Sequence, residues 1–173
     1  LYKCPDRLNW SQVCENSQMS KNVMEDLYNY LDYSKIVVYQ NLSTRFIEDH
    51  FDDLKVFMSD ICNHQVISQD FIRDHSDIVD WLAISHSQRL SEAFMDEMKD
   101  NLDWTELCYR QKMSAHFIET HIDYINLYCL LKREAYIPKS IQRTPQYEIA
   151  KLYIKKGHDI FDIEDIAKVE VGA

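Results

Sequence analysis

The residues best equipped for chemistry recur at a fixed step. Counted from five serines (Ser20, Ser43, Ser68, Ser91, Ser114), a carboxylate stands six residues on at Asp26, Asp49, Asp74 and Glu97. A second stands nine residues on at Asp52, Asp77, Asp100 and Asp123. Histidines occupy the position seven residues on at His50, His75 and His121. Carboxylates and imidazoles in such density could serve acid–base catalysis, hold a metal, or receive a cationic partner. Recurrence weighs against the first, because an active site is normally unique while packing repeats. The second fails on distance. Stacked copies of one position lie about 10 Å apart, one helix–helix spacing, and metal–ligand bonds are only about 2 Å long. Leu27 and Met98 fill the histidine position in the other copies, which predicts packing. His64, His86, His116 and His158 show no ligand spacing. No GxSxG, GxxxxGK[ST] or HExxH motif occurs, and no cysteine–histidine nucleophile pair. The expectation is therefore a chain that is not an enzyme and needs no cofactor or metal.

The elements that carry these residues follow from an internal repeat, which decides the fold before anything else does. The serine steps are 23, 25, 23 and 23 residues. Gln18, Gln40, Gln65, Gln88 and Gln111 keep nearly the same register, as do the aromatics Trp10, Tyr33, Phe57, Trp81 and Trp104. Each unit reads as two short helices of roughly 8 to 11 residues. The first opens at an Asn or Asp (Asn9, Asp32, Asp80, Asp103, Asn126), whose side-chain oxygen suits the free amides of a first turn. Asn9–Gln12 and Asp103–Glu106 also have capping-box spacing. The serine caps the second helix, and positions +3, +4, +7 and +11 from it form one apolar stripe. That stripe holds Phe46, Phe71, Phe94 and Phe117 at +3 and Leu31, Leu54, Val79, Leu102 and Ile125 at +11. Helices this short are not stable alone and must stack on neighbours. The predicted fold is all-α, a solenoid-like stack of about five 23-residue helical hairpins with a C-terminal helical cap. The third copy departs: Lys55-Val56-Phe57 replaces the Asp-aromatic opening and one residue is inserted, which predicts a weaker cap and a local kink.

The glutamines recur where the first helix gives way to the turn. An amide both donates and accepts, so Gln88 and Gln111 are expected buried and bonded to backbone. The stacked +6 and +9 positions, largely off the core stripe, would align into an acidic ridge formed by Asp26, Asp49, Asp52, Asp74, Asp77, Glu97, Asp100 and Asp123. The charge distribution agrees. Residues 1–137 carry 13 Lys+Arg and 23 Asp+Glu, whereas residues 138–173 carry 6 of each, so the whole net charge of −10 sits with the repeats. Such a surface repels duplex nucleic acid and suits a basic partner or solubility. The five cysteines include no CxxC, and Cys14 and Cys108 share a repeat position filled elsewhere by Val37 or Ser85. That is the behaviour of reduced core fillers and predicts an intracellular setting. No apolar run is long enough for a membrane span.

Residues 1–7 read as a lead-in, 8–137 as the helical repeat domain, and 138–173 as connector and C-terminal cap. In the cap, Thr144-Pro145 is a helix start, Ile149, Leu152 and Tyr153 a short apolar stripe, and Gly157 a stop, with a further short helix over Asp162–Lys168. The nine residues Leu152–Ile160 resemble the end of an ankyrin repeat, a match short enough to imply a cap and not an ankyrin array.

The pattern apolar-Asp-Trp-x-x-Ile/Leu-x-x-x-Gln-x-Leu/Met-Ser-x-x-Phe-Ile, clearest over Val79–Met95 and Leu102–Ile118, resembles short tandem repeats of large double-stranded DNA virus and phage proteins. The resemblance covers about residues 8–131. It implies a viral origin and a protein-interaction or structural role, with host cytoplasm and virion as the expected locations. A minor capsid or assembly component is the leading expectation, with viral coat or host proteins as partners. The alternative is an acidic inhibitor that mimics nucleic acid and blocks a host defence protein.

Overall fold

A computed structural model describes residues 7–157, and among them all regular structure is helical. Cys4, His158 and the helix expected over Asp162–Lys168 lie outside the described residues. The chain divides into two compact units, Leu1–Arg89 and Leu90–Ala173, with the division inside the fourth copy of the repeat.

In the first unit, copy one contributes α1 (Trp10–Asn16) and α2 (Lys21–Asp26). Copy two contributes α3 (Tyr33–Tyr39), α4 (Thr44–Asp49) and α5 (Phe51–Leu54). Copy three contributes α6 (Met58–His64) and α7 (Gln69–Asp74), and α8 (Trp81–Ser87) opens copy four. First helices pack in succession, α1 on α3, α3 on α6 and α6 on α8. The second unit holds α9 (Glu92–Glu97), α10 (Trp104–Arg110), α11 (Ala115–Thr120), α12 (Leu127–Lys132) and α13 (Pro145–Lys156). There α12 packs on α10 and α13 on α12.

The expected caps form. Ser20, Ser43, Ser68, Ser91 and Ser114 each accept from the amide three residues on. Asn9, Asp80, Asp103 and Asn126 do the same for first helices. Asp32 departs: its carboxylate accepts instead from Ser34 Oγ at 2.7 Å and makes no cap bond. The core stripe is in place, with Phe46, Phe71 and Phe94 fully buried and the +11 residues Leu31, Leu54, Val79, Leu102 and Ile125 also buried. Burying such side chains is worth about 1.5–3 kcal/mol each.

The helices are shorter than expected, six or seven residues in the regular copies. The second helix does not run through to +11. It stops at +7, where Leu27, His50, His75, Met98 and His121 have φ between −105° and −120° and ψ between 10° and 27°. The +11 side chain reaches the core from a separate turn beyond that bend. In copy three the chain never extends into a cap. α5 runs through a 3-10 turn (Lys55–Phe57) into α6, which has no side-chain cap, as the lost Asp predicted.

α13 opens at Thr144, which accepts from the Tyr147 amide, with Pro145 in its first turn, and stops at left-handed Gly157 (φ 73°). Its Ala150 is buried in one core cluster with Tyr128, Leu130 and Ile137. Of the expected stripe, Tyr153 packs partly on the core while Leu152 is exposed, and Ile154 packs partly as well.

Candidate functional site

The polar residues that recur most faithfully are occupied in holding the backbone. Gln65 Nε2 donates to the carbonyls of Val37 (2.7 Å) and Gln40 (2.8 Å), and its Oε1 accepts from the Leu42 amide at 2.8 Å. Gln40 does the same to Cys14, Ser17 and Met19, and Gln88 to Cys62, Gln65 and Ile67. Gln111 accepts from the Leu90 amide. All four are buried. Each one ties the end of its own first helix to the copy before it, satisfying groups that a helix C-terminus leaves open.

Two departures mark the ends of this ladder. Gln18 is out of register: Ser17 occupies the helix-end position, and exposed Gln18 donates to the Tyr39 carbonyl. In the sixth copy Arg133 takes over the role, donating from Nη1 to the Tyr109 carbonyl and from Nη2 to the Gln111 carbonyl. Its place at the helix end identifies it, since both its residue type and its backbone (ψ 9°, against 144–157° at Gln40, Gln65, Gln88 and Gln111) differ.

The thiols are also structural. Cys62, shifted by the inserted residue, shares the position of Cys14 and Cys108. The amide of Asn126, which opens the next copy, donates to the Cys108 sulfur at 3.3 Å, and the backbones of Asp32 and Asp80 at the same place lower the thiols of Cys14 and Cys62 against the larger effect of burial. Burial pushes the thiols of Cys62 and Cys108 up to about 11 and Cys129 up to about 12, so they stay protonated and unreactive.

The histidines at the bend sit between copies. Tyr28 stacks on His50 at 3.7 Å and Phe51 on His75 at 4.1 Å. His50 Nε2 lies 3.0 Å from Glu25 and His121 Nε2 2.9 Å from Asp96, pairing the +7 histidine with the +5 acid of the preceding copy. The Asp96 carboxyl is held below its ordinary range by that bond to His121. The position is packing, but with a polar edge that was not expected. Among the described residues no group of three or more His, Cys, Asp or Glu is arranged to hold a metal ion.

The eight acidic positions are all exposed or half-buried at the surface: Asp26, Asp49, Asp52, Asp74 and Asp77 in the first unit, and Glu97, Asp100 and Asp123 in the second. They are not equally free. Arg45 approaches Asp49 at 3.6 Å, Lys55 approaches Asp52 at 2.8 Å, and Tyr124 donates to Asp100 at 3.3 Å.

A groove of about 650 Å³ lies in the second unit. One wall is the turn after α11 (Ile122, Asp123, Tyr124, Ile125) and the start of α12 (Asn126, Leu127, Tyr128). The other is α13 with Thr144, Gln146, Ile149, Ala150 and Tyr153, and Thr105 of α10 completes it. Among the described residues, Asp123 is the one charged side chain in this lining. The groove had no local signal in the sequence beyond the decay of the repeat after Lys132, since it arises from where α13 settles. No helix among the described residues is long and apolar enough to cross a membrane. The chain matches no protein-family model, no curated protein and no solved structure.

Proposed function

We propose that the chain is a non-enzymatic protein-interaction or structural module of a virus, its helical hairpins stacked as a solenoid. The observation that carries the reading is the commitment of the repeated polar residues. Gln40, Gln65 and Gln88 bond carbonyls and amides within the fold, the serines cap, and the Cys108 sulfur accepts an amide. With these residues committed to the scaffold, the exposed faces are the working surface, as is usual in repeat proteins. The resemblance to tandem repeats of large DNA virus and phage proteins supports the viral setting, and a minor capsid or assembly role in the virion is its most concrete form. Host cytoplasm is the corresponding location outside the particle.

The acidic positions support a second reading, an inhibitor that mimics nucleic acid to occupy a host defence protein. Their common surface placement favours it, while the ion pairs of Asp49 and Asp52 dilute the charge such mimicry needs. The deciding experiment is mass spectrometry of purified virions beside affinity capture from infected cells. The structural reading expects the chain in virions together with coat proteins. Its absence there, with salt-sensitive capture of a nucleic-acid-binding host protein, would decide for mimicry.

A further inference from the structure

The last rung of the glutamine ladder donates without accepting. In the regular rungs the clamp has two halves: Nε2 donates to carbonyls of the copy before, and Oε1 accepts a backbone amide there. Those amides belong to Met19 for Gln40, Leu42 for Gln65, Ile67 for Gln88 and Leu90 for Gln111. Leu42, Ile67 and Leu90 each stand two residues beyond the preceding clamp, and the same step from Gln111 leads to Met113. Arg133 holds the clamp position of the next copy and reproduces the donating half, to the carbonyls of Tyr109 and Gln111. A guanidinium has no acceptor, so it cannot receive the Met113 amide as a glutamine would. It also carries a surplus donor: Arg133 Nε is buried and has no hydrogen-bond partner among the described residues. Met113 and Arg133 both line a cavity of about 350 Å³, together with Lys112, Ile118, Ala135 and Tyr136. Its wall thus combines donors and two positive charges with the apolar side chains of Ile118 and Ala135. At the corresponding place in the other rungs the amide meets a side-chain oxygen.

We propose that this cavity binds a carboxylate carried on a short apolar stem. The carboxylate accepts from the Met113 amide and from Arg133 Nε–H, standing where a glutamine Oε1 stands in the other rungs, and Lys112 adds a second balancing charge. The stem lies on Ile118 and Ala135. Hydrogen bonds from a guanidinium to an ionised oxygen are shorter and stronger than those to a neutral carbonyl, so an acid is preferred over its amide. A peptide C-terminus and a free organic acid share this chemistry. The site goes beyond the interaction reading above and does not depend on it.

The test follows the Met113 amide and the Arg133 Nε–H by NMR in the full chain, with hexanoate and the neutral hexanamide as probes. Hexanoate is expected to move both signals and to bind about five- to ten-fold more tightly than hexanamide. Arg133→Gln puts back the residue that the other rungs use. It should fold, protect the Met113 amide from hydrogen exchange through its own Oε1, and lose hexanoate binding. Lys112→Gln should weaken hexanoate several-fold and leave hexanamide unchanged. If Arg133→Gln fails to fold, Lys112→Gln and the hexanamide comparison carry the test. Short peptides ending in leucine, with a free or an amidated terminus, separate the two sources of the carboxylate. Tighter binding of the free-ended peptide than of hexanoate assigns the site to a protein terminus, and weaker binding assigns it to a small acid. No movement of either signal at about 50 mM hexanoate, equal affinity for hexanamide, or undiminished binding by Arg133→Gln overturns the assignment. So does a Met113 amide already protected in wild type without a probe, because the chain would then supply the acceptor itself.

Discussion

Two approaches to a first helix, both in the first unit, solve one problem in opposite ways. At Asp80 the chain is extended (φ −83°, ψ 99°), so the Asp80 amide has no helical partner. The Asp80 backbone acts on the Cys62 thiol, lowering it against the larger effect of burial, while the Asp80 carboxylate accepts from the Ala83 amide and from Ser59 Oγ. At Lys55 the chain stays helical (φ −58°, ψ −26°), and its amide donates to the Phe51 carbonyl. The buried residue at the Cys62 position one copy earlier is Val37, which has no acceptor. None is needed there. The acceptor side chain and the capping aspartate thus occur together before α8 and are absent together before α6, because both serve the extended conformation of a single residue.

The largest way to break this comparison is to remove the glutamine clamp on which both approaches depend. Gln65→Leu deletes three buried hydrogen bonds and strands their backbone partners, an expected loss of about 3 kcal/mol in urea unfolding of the chain. Gln18→Leu, which touches one exposed bond, should cost only about 0.5 kcal/mol and serves as its control. An equal effect of the two substitutions would show that the ladder is not the stabilising feature. Next comes Cys62→Val, which copies Val37 into the position that does need an acceptor. A cost of about 1–2 kcal/mol is expected from the orphaned Asp80 amide, and Cys62→Ser should recover most of it, as Ser85 keeps an oxygen at the equivalent position.

Asp80→Asn sharpens the electrostatic half. The Ser59 hydroxyl, followed by the Ala83 amide, holds the Asp80 carboxyl below its ordinary range. A carboxylate with a depressed folded pKa stabilises fully above its unfolded value of about 3.9 and loses that contribution as pH falls through the lower folded value. Wild-type stability should therefore fall more steeply below about pH 4 than that of Asp80→Asn. Parallel acid limbs in calorimetry would refute the assignment. The smallest expected effect is Val37→Cys, within about 0.5 kcal/mol of wild type by the same unfolding assay. A clear stabilisation there would mean that the chain at Lys55 can be drawn into the extended form.

Much of the local design was legible in advance. Serine and aspartate caps, the Phe–Ile stripe and the defect at Lys55 depend on residues three or four apart, and such spacings report directly on helical geometry. Gln88 and Gln111 were legible for a related reason, since an amide at a recurring helix end has few other uses. Less was visible where a partner lies a whole copy away. Gln18 keeps close to the repeat spacing, and only the position of Ser17 at the helix end shows that it is out of register. Cys62 was hidden by the inserted residue, and Arg133 by its type.

The sequence alone determined the unit, its caps and its core face, because these are set by contacts within about one helical turn. Tertiary structure decided the break at +7, which turns His50 and His121 toward acids of the preceding copy. It also decided the amide bond to the Cys108 sulfur and the groove beside α13. Those features depend on how separate helices approach one another, and neither the period nor the type of any one residue specifies that distance.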